Sequence, residues 1–255
     1  MPRGERLDER LVRDALAQTR SRAQSLILAG QVLVDDTPVD KPGTRISEGA
    51  VVRVRGGRRF VSRGGEKLAG ALDDLGVDPQ GKACLDVGAS TGGFTDCLLQ
   101  AGARSVLAVD VGYGQLEGAL RNDARVTLLE RTNARNLEPR QVPSNIELVT
   151  VDVSFIASRL VLPALARVAP KAEWLVMVKP QFEVGRAQVG KGGVVRDPAL
   201  RQGAADDVAA AARALGWAER CRADSQLPGP KGNVEIFLRL GREGADESRE
   251  RDDLR

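Results

Sequence analysis

Between residues 83 and 178, short apolar runs alternate with amphipathic segments. "ACLDV", "SVLAVD", "RVTLLE", "IELVTVD" and "EWLVMVK" read as strands, with "FTDCLLQAGA", "QLEGALR" and "ASRLVLPALARVA" as helices among them. Such alternation predicts an α/β domain built on a parallel, doubly wound sheet. A helix over "DPALRQGAADDVAAAARALG" follows, with Asp197 as its cap and Pro198 at its first position. Two more strands, "WAERCRA" and "NVEIFLRL", close the pattern across the loop "DSQLPGPKG".

The first sixty residues have a different character. Leu7, Leu11, Ala15 and Leu16 share one helical face, and Leu26, Ile27 and Leu28 end a second helix that stops at Gly30. "QVLVDDTPVD" then reads as strand, turn, strand, and "VVRVR" as a further strand. Residues 1–65 hold thirteen Arg or Lys against eight Asp or Glu, whereas residues 241–255 hold four against six. That distribution predicts a basic module facing a polyanion, joined to a near-neutral domain. The stretch "RGGRRFVSRGG" reads as a linker whose arginines, Arg63 among them, can touch phosphate.

Composition narrows the chemistry. The chain has no histidine, which excludes histidine acid/base catalysis and most zinc sites, and Cys84, Cys97 and Cys221 lack metal-ligand spacing. No metal is expected. No apolar run approaches the eighteen residues of a membrane span, and "MPRGERLDER" lacks the apolar core of a signal peptide, so the expectation is a cytoplasmic protein without membrane partners.

The chemistry-bearing residues fall at strand ends. "LDVGASTGGFTD" runs from a strand through a glycine-rich turn into a helix, where a doubly wound sheet binds its ligand. A nicotinamide-nucleotide fingerprint needs glycine at position 90, and Ser90 stands there. Asp110 ends the next strand, where a carboxylate can accept from both hydroxyls of a ribose. Asp152 and Lys179 follow apolar strands, and Glu235 opens the last one, so all three are expected along one sheet edge. One carboxylate–lysine pair there is commonly structural; two acids and a lysine beside a cofactor turn suggest catalysis. Lys67 in "VSRGGEKL" is unusual, because the positive end of a helix dipole disfavours a lysine near a helix start.

Two resemblances gather these residues. "ERLDERLV", "SRAQSLILAGQVLVDD" and "ISEGAVVRV" resemble the small RNA-binding domain named for the fourth protein of the small ribosomal subunit. That resemblance implies RNA contacts through Arg6, Arg20 and Arg22. "VSRGGEKL", "DVGASTGGFTD", "VDVSFI", "VKPQFE", "GKGGVVRD" and "GPKGNVEIF" resemble the haemolysin A/TlyA-type RNA methyltransferases, relatives of the FtsJ-type ribose 2′-O-methyltransferases. This implies a Rossmann-like methyltransferase domain over 66–240, after a small α+β RNA-binding domain over 1–60 and a linker at 61–65, with a disordered tail at 241–255.

The second resemblance also implies a catalytic tetrad of Lys67, Asp152, Lys179 and Glu235. S-adenosylmethionine would be held by Asp86, facing its ammonium, with Gly88, Ala89, Ser90, Thr91, Gly92, Gly93 and Phe94 along the turn and Asp110 on the ribose. Lys179 would contact the nucleophilic hydroxyl, as general base if neutral and as orienting donor if charged. The substrate would be ribosomal RNA or ribosomal subunits, at cytidine. "EVGRAQVGKGGVVRD" would be a mobile loop bringing Arg186, Lys191 and Arg196 to RNA phosphates. A non-catalytic RNA-binding protein on the same fold stands as the alternative, and a membrane-active haemolysin ranks below it.

Overall fold

The computed structural model describes residues 4–14, 16–17, 19–54 and 59–244. The chain divides into two compact units, Met1–Arg58 and Arg59–Arg255.

In the first unit, β1 (Glu5–Arg6) leads into α1 (Leu7–Arg13) and α2 (Arg20–Leu28), followed by β2 (Val32–Val34), β3 (Thr37–Val39), β4 (Arg45–Ile46) and β5 (Val52–Val54). β3, β2 and β5 form an antiparallel sheet in that order, and β1 pairs with β4. The β2–β3 hairpin turns at Asp35 and Asp36, both at positive φ, as the strand twist requires of a tight hairpin. Leu7, Leu11, Ala23, Ile27 and Val32 are wholly buried between helices and sheet. α1 stops at Arg13, short of the expected face: Leu16 is 37% exposed, and Ala15 lies outside the described residues. Leu28 closes α2 as expected, and its side chain is 68% exposed.

The second unit runs α3 (Arg63–Leu75), β6 (Ala83–Val87), α4 (Gly93–Gln100), β7 (Ser105–Val109), α5 (Gly118–Arg121), β8 (Val126–Leu129), β9 (Leu148–Val151), α6 (Leu162–Val168), β10 (Glu173–Val178), α7 (Pro180–Glu183), α8 (Pro198–Arg213), β11 (Trp217–Asp224) and β12 (Ile236–Arg242). Its seven strands lie in the order β11-β12-β10-β9-β6-β7-β8. The five from β10 to β8 are parallel; β12 is inserted antiparallel between β10 and β11. This is a mixed α/β sheet of Rossmann-like architecture, as expected from the sequence. Strand order reverses between β6 and β9, so a crevice opens at their carboxyl ends.

Both faces of the sheet are covered, which is why its strands read as continuous apolar runs. Leu85, Val87, Trp174, Val176 and Val178 join the core under α6 and α8, while Cys84, Leu175 and Met177 join the core under α3 and α4. The stacked rings of Trp174 and Trp217, 4.0 Å apart, anchor the first core.

The segment 61–65, expected as a linker, belongs to the fold. Phe60 is buried, the Val61 N–H donates to Asp96 Oδ2 at 2.8 Å, and Ser62 caps α3 by accepting the Gly64 N–H. The glycines here serve packing. A Cβ on Gly93 would stand 2.1 Å from Ser62 Oγ and 2.9 Å from Gly65 N, so only glycine lets the starts of α3 and α4 meet. At the other end, Gly241 and Arg242 complete β12 rather than a tail; residues 245–255 of the expected tail lie outside the described residues.

Candidate active site

The strand register assembles the site. Val178 of β10 pairs with Ile236 of β12, so one step further Lys179 and Glu235 stand across from each other at the sheet edge. Val151 ends the neighbouring β9, and Asp152 continues it, its N–H donating to Val87 O at 2.8 Å. Lys67 comes from α3, just past its first turn.

Two ion pairs result. Lys67 Nζ lies 3.0 Å from Glu235 Oε2, with the side chains 8% and 3% exposed. Lys179 is ion-paired with Asp152 and more open, its Nζ donating to Ser154 Oγ at 2.8 Å. Glu235 Oε1 rests against Gly229, where a Cβ would stand 2.5 Å from it. A structural role explains the first pair's burial. The second pair, at the mouth of the crevice, presents an amine between two oxygens beside the glycine turn.

That turn follows β6. Gly88, at φ +89°, passes so near β9 that a Cβ would stand 2.4 Å from Asp152 O, which places the turn beside the second ion pair. Ser90, at φ +50°, and Thr91 are exposed. Asp110, one step beyond β7, accepts the Ser90 N–H at 2.8 Å and the Gly112 N–H at 2.6 Å. A carboxylate offers about four acceptor positions, so Asp110 keeps capacity for a ligand's hydroxyls.

Comparison with known proteins places this geometry. The FtsJ-like methyltransferase family matches residues 60–242, and the S4 domain matches residues 5–52. The chain belongs to the FtsJ-like methyltransferase family. Over 243 residues it is 51% identical to "16S/23S rRNA (cytidine-2'-O)-methyltransferase TlyA" of Mycobacterium tuberculosis, covering 94% of this chain and 91% of that one. It is 40% identical to "Hemolysin A" of Brachyspira hyodysenteriae, covering 91% and 98%. A solved structure from Streptococcus thermophilus, provisionally named a hemolysin, superposes with a TM-score of 0.70 at 38% identity, covering 96% and 90%. Among the described residues no helix is long and apolar enough to cross a membrane.

Within this FtsJ-like domain, five of the residues expected to hold the cofactor are buried: Asp86, Ala89, Gly92, Gly93 and Phe94. Asp86 is wholly buried, because its place in β6 aims it beneath α4: Thr95 Oγ1 donates to Oδ2 at 2.7 Å and Thr150 Oγ1 to Oδ1 at 3.1 Å. Burial, reinforced by the charge of Asp152, pushes its pKa up to about 7 against those two hydrogen bonds. Gly93 is buried against α3, and the Phe94 ring packs near Phe237 in the core. Gly88, Ala89, Ser90, Thr91, Gly92 and Asp110 remain along the turn and strand ends of the FtsJ-like fold.

The basic side chains are distributed unevenly. Arg6 and Arg20 are engaged with Asp8, which is wholly buried and also accepts from Gln24; Arg6 above all holds the Asp8 carboxyl far below the usual range. Arg22, two residues into α2, is exposed. Arg63 donates to Pro228 O at 2.7 Å, tying the start of α3 to the loop before β12. Lys191 and Arg196 are exposed; the side chain of Arg186 lies outside the described residues.

The loop holding Lys191 is pinned in this structure. Gly190 bridges Val194, and buried Asn233 accepts the Val195 N–H at 3.0 Å while donating to Gly193 O at 2.8 Å. Asn233 was not singled out in the sequence, nor was Phe155, at φ +67° and 89% exposed, with its ring 5.5 Å from that of Phe182. A bulky residue in the left-handed region is an outlier that only tertiary contacts explain. One sequence signal for Phe155 existed: a phenylalanine three residues past a strand-end aspartate, in a chain with five.

Proposed function

We propose that this methyltransferase transfers the methyl group of S-adenosylmethionine to a ribose 2′-hydroxyl of ribosomal RNA, at cytidine, as the names of its Mycobacterium tuberculosis relative and of a Campylobacter jejuni relative, 38% identical over 179 residues, describe for those proteins. The observation that carries this reading is the Lys179–Asp152 ion pair at the carboxyl edge of the sheet, beside the glycine turn and backed by Lys67–Glu235.

The acceptor capacity left on Asp110 and the exposed turn at Ser90 and Thr91 fit a nucleoside cofactor at the ends of β6 and β7. Bound S-adenosylmethionine supplies an electrophilic methyl group with a neutral thioether as leaving group. Lys179 meets the incoming ribose hydroxyl and holds or takes its proton at Nζ, with Asp152 fixing the amine. Lys67 and Glu235 brace the neighbouring strand. Alignment of the attacking oxygen is the main demand, with reacting atoms about 3 Å apart. Phe155 offers a ring on which an unstacked base can lie. Arg22, Lys191 and Arg196 serve as phosphate contacts, Arg6, Arg20 and Arg63 supply the donors not spent on Asp8 and Pro228, and ribosomal RNA as substrate sets the work in the cytoplasm.

Purified protein with methyl-labelled S-adenosylmethionine and ribosomal subunits, or naked ribosomal RNA, tests this directly. The label is expected on a cytidine 2′-oxygen, and Lys179→Ala is expected to bind RNA without labelling it. Label on a base, or equal labelling by Lys179→Ala, overturns the reading.

A further inference from the structure

Lys179 Nζ carries three tetrahedral positions beyond its own stem. Ser154 Oγ accepts from one of them at 2.8 Å, and the Asp152 carboxylate lies against the amine as its ion-pair partner. Among the described residues the amine has no hydrogen-bond acceptor other than Ser154 Oγ. Whether the amine is charged or neutral, its rotation about the terminal bond is therefore set by the Ser154 hydroxyl, with the Asp152 charge two residues away on the same loop.

The geometry points to Ser154 as a positioning residue for the methyl transfer: by accepting one N–H of Lys179 beside Asp152, its hydroxyl orients the amine toward the substrate hydroxyl. This rests on the functional reading above and adds to it. An ion pair alone leaves the amine free to rotate about its terminal bond, because a carboxylate accepts from any of its hydrogens. The Ser154 acceptor off that axis removes the rotation.

The loop is built to hold the hydroxyl still. At one end the Asp152 N–H is bonded to Val87 O, and at the other the Ser158 N–H is bonded to the buried Glu183 carboxylate, which also takes Arg159 Nη1 at 3.0 Å. Between them the left-handed backbone at Phe155 turns the chain, so that Ser154 reaches Lys179 while the next side chain projects outward against Phe182. Backbone strain at a bulky residue persists where surrounding contacts over-determine it, and here they hold a side chain against the amine.

Two variants and two readouts test the assignment. Ser154→Ala removes the acceptor; Ser154→Thr keeps it, and the exposed position accommodates the extra methyl. In single-turnover assays, Ser154→Ala is expected to lose about tenfold or more in rate at saturating RNA, as misalignment of a reacting group costs. Affinities for RNA and S-adenosylmethionine should stay at wild-type values, and Ser154→Thr should recover the rate to within about twofold. A wild-type rate in Ser154→Ala, a loss confined to RNA affinity, or a Ser154→Thr as slow as the alanine variant overturns the assignment.

Side-chain NMR on lysine labelled at Cε, with the Lys179 signal assigned through Lys179→Arg, reads the contact without turnover. That signal should be ordered in wild type and Ser154→Thr and averaged in Ser154→Ala; equal order in all three overturns the positioning role. A wild type that transfers no methyl group, yet shows Lys179 loosened by Ser154→Ala, sinks the functional reading and leaves the contact standing.

Discussion

Lys67 and Glu235 join the first helix of the catalytic unit to the last strand of its sheet through a 3.0 Å contact between nearly inaccessible side chains. A buried charge left without its partner is costly, by about 3 kcal/mol or more, whereas removing both members costs much less. Glu235→Ala should therefore lower the urea-unfolding free energy by about that amount, and Lys67→Met combined with Glu235→Gln should recover most of it. Additive losses in the double-mutant cycle would show that the two groups do not interact. The double variant should remain slow in methyl transfer even where its stability returns, because the bracing of Lys179 is gone.

Asp152→Asn keeps the shape of the side chain and removes its charge. Lys179 then loses its ion pair while Ser154 remains. The expected result is a fall in kcat of about a hundredfold, within the range of a misassembled acid/base group, with little change in RNA affinity. Equilibrium binding and single-turnover rates on the same preparations separate the two.

The positions of Asp152 and Lys179 at the sheet edge were legible in the sequence for a physical reason. Parallel strands covered on both faces are unbroken apolar runs, so a charged residue just past such a run, as Asp152 and Lys179 are, stands at a sheet edge. The neighbourhood of Glu235 and Lys179 depends instead on β12 lying antiparallel beside β10, a pairing with no local signature. Asp86 shows the opposite limit. It lies inside β6, one residue before its end, and its carboxylate is taken by Thr95 and Thr150, one on the helix above and one on the strand beside it, which only the packed sheet reveals. The glycines at 64 and 65 suggested a linker because flexibility and close packing use the same residue; the contact between the starts of α3 and α4 decides for packing.

Phe155→Ala removes a ring that is almost wholly in solvent, so the thermal midpoint should hardly move. RNA binding should weaken, since base–aromatic stacking contributes about 1–3 kcal/mol per base, equivalent to about 5- to 150-fold in affinity. Phe155→Trp preserves a stacking face and should bind near wild-type strength. Fluorescence anisotropy with an RNA carrying the mapped target nucleotide is the measurement. Equal affinity in wild type and Phe155→Ala would remove the ring from the RNA interface.

Asn233 holds both Gly193 O and the Val195 N–H, fixing the loop that carries Lys191. Asn233→Ala should release it, and hydrogen exchange at residues 190–195 should accelerate while the strands of the sheet keep their protection. If Lys191 contacts phosphate from this fixed loop, the RNA Kd should rise with it, and Lys191→Ala in the same background should add little. Unchanged exchange over 190–195 would show that the loop is held by other contacts.

Asp86 gives the fold a pH signature of definite sign. Its carboxyl has an ordinary value of 3.8, and burial carries it to about 7 in the folded chain. Below about pH 4 the group is protonated whether the chain is folded or not. Between about 4 and 7 the unfolded chain releases the proton and the folded chain retains it, so each increment of pH favours unfolding; above about 7 both states are ionised and the loss is complete. Asp86→Asn cannot titrate, and an amide can still bond with Thr95 and Thr150. The stability of wild type minus that of Asp86→Asn should therefore be greatest below about pH 4, decline between about 4 and 7 and level off above that, as urea midpoints at matched pH would record. Depressed acids such as Asp8 and Glu130 lose their contribution as pH falls, the opposite sense, and cancel in this difference because both proteins carry them. A difference that is flat, or that grows with pH, would mean that Asp86 is ionised in the folded chain and that its two threonine hydroxyls stabilise a carboxylate rather than a neutral acid.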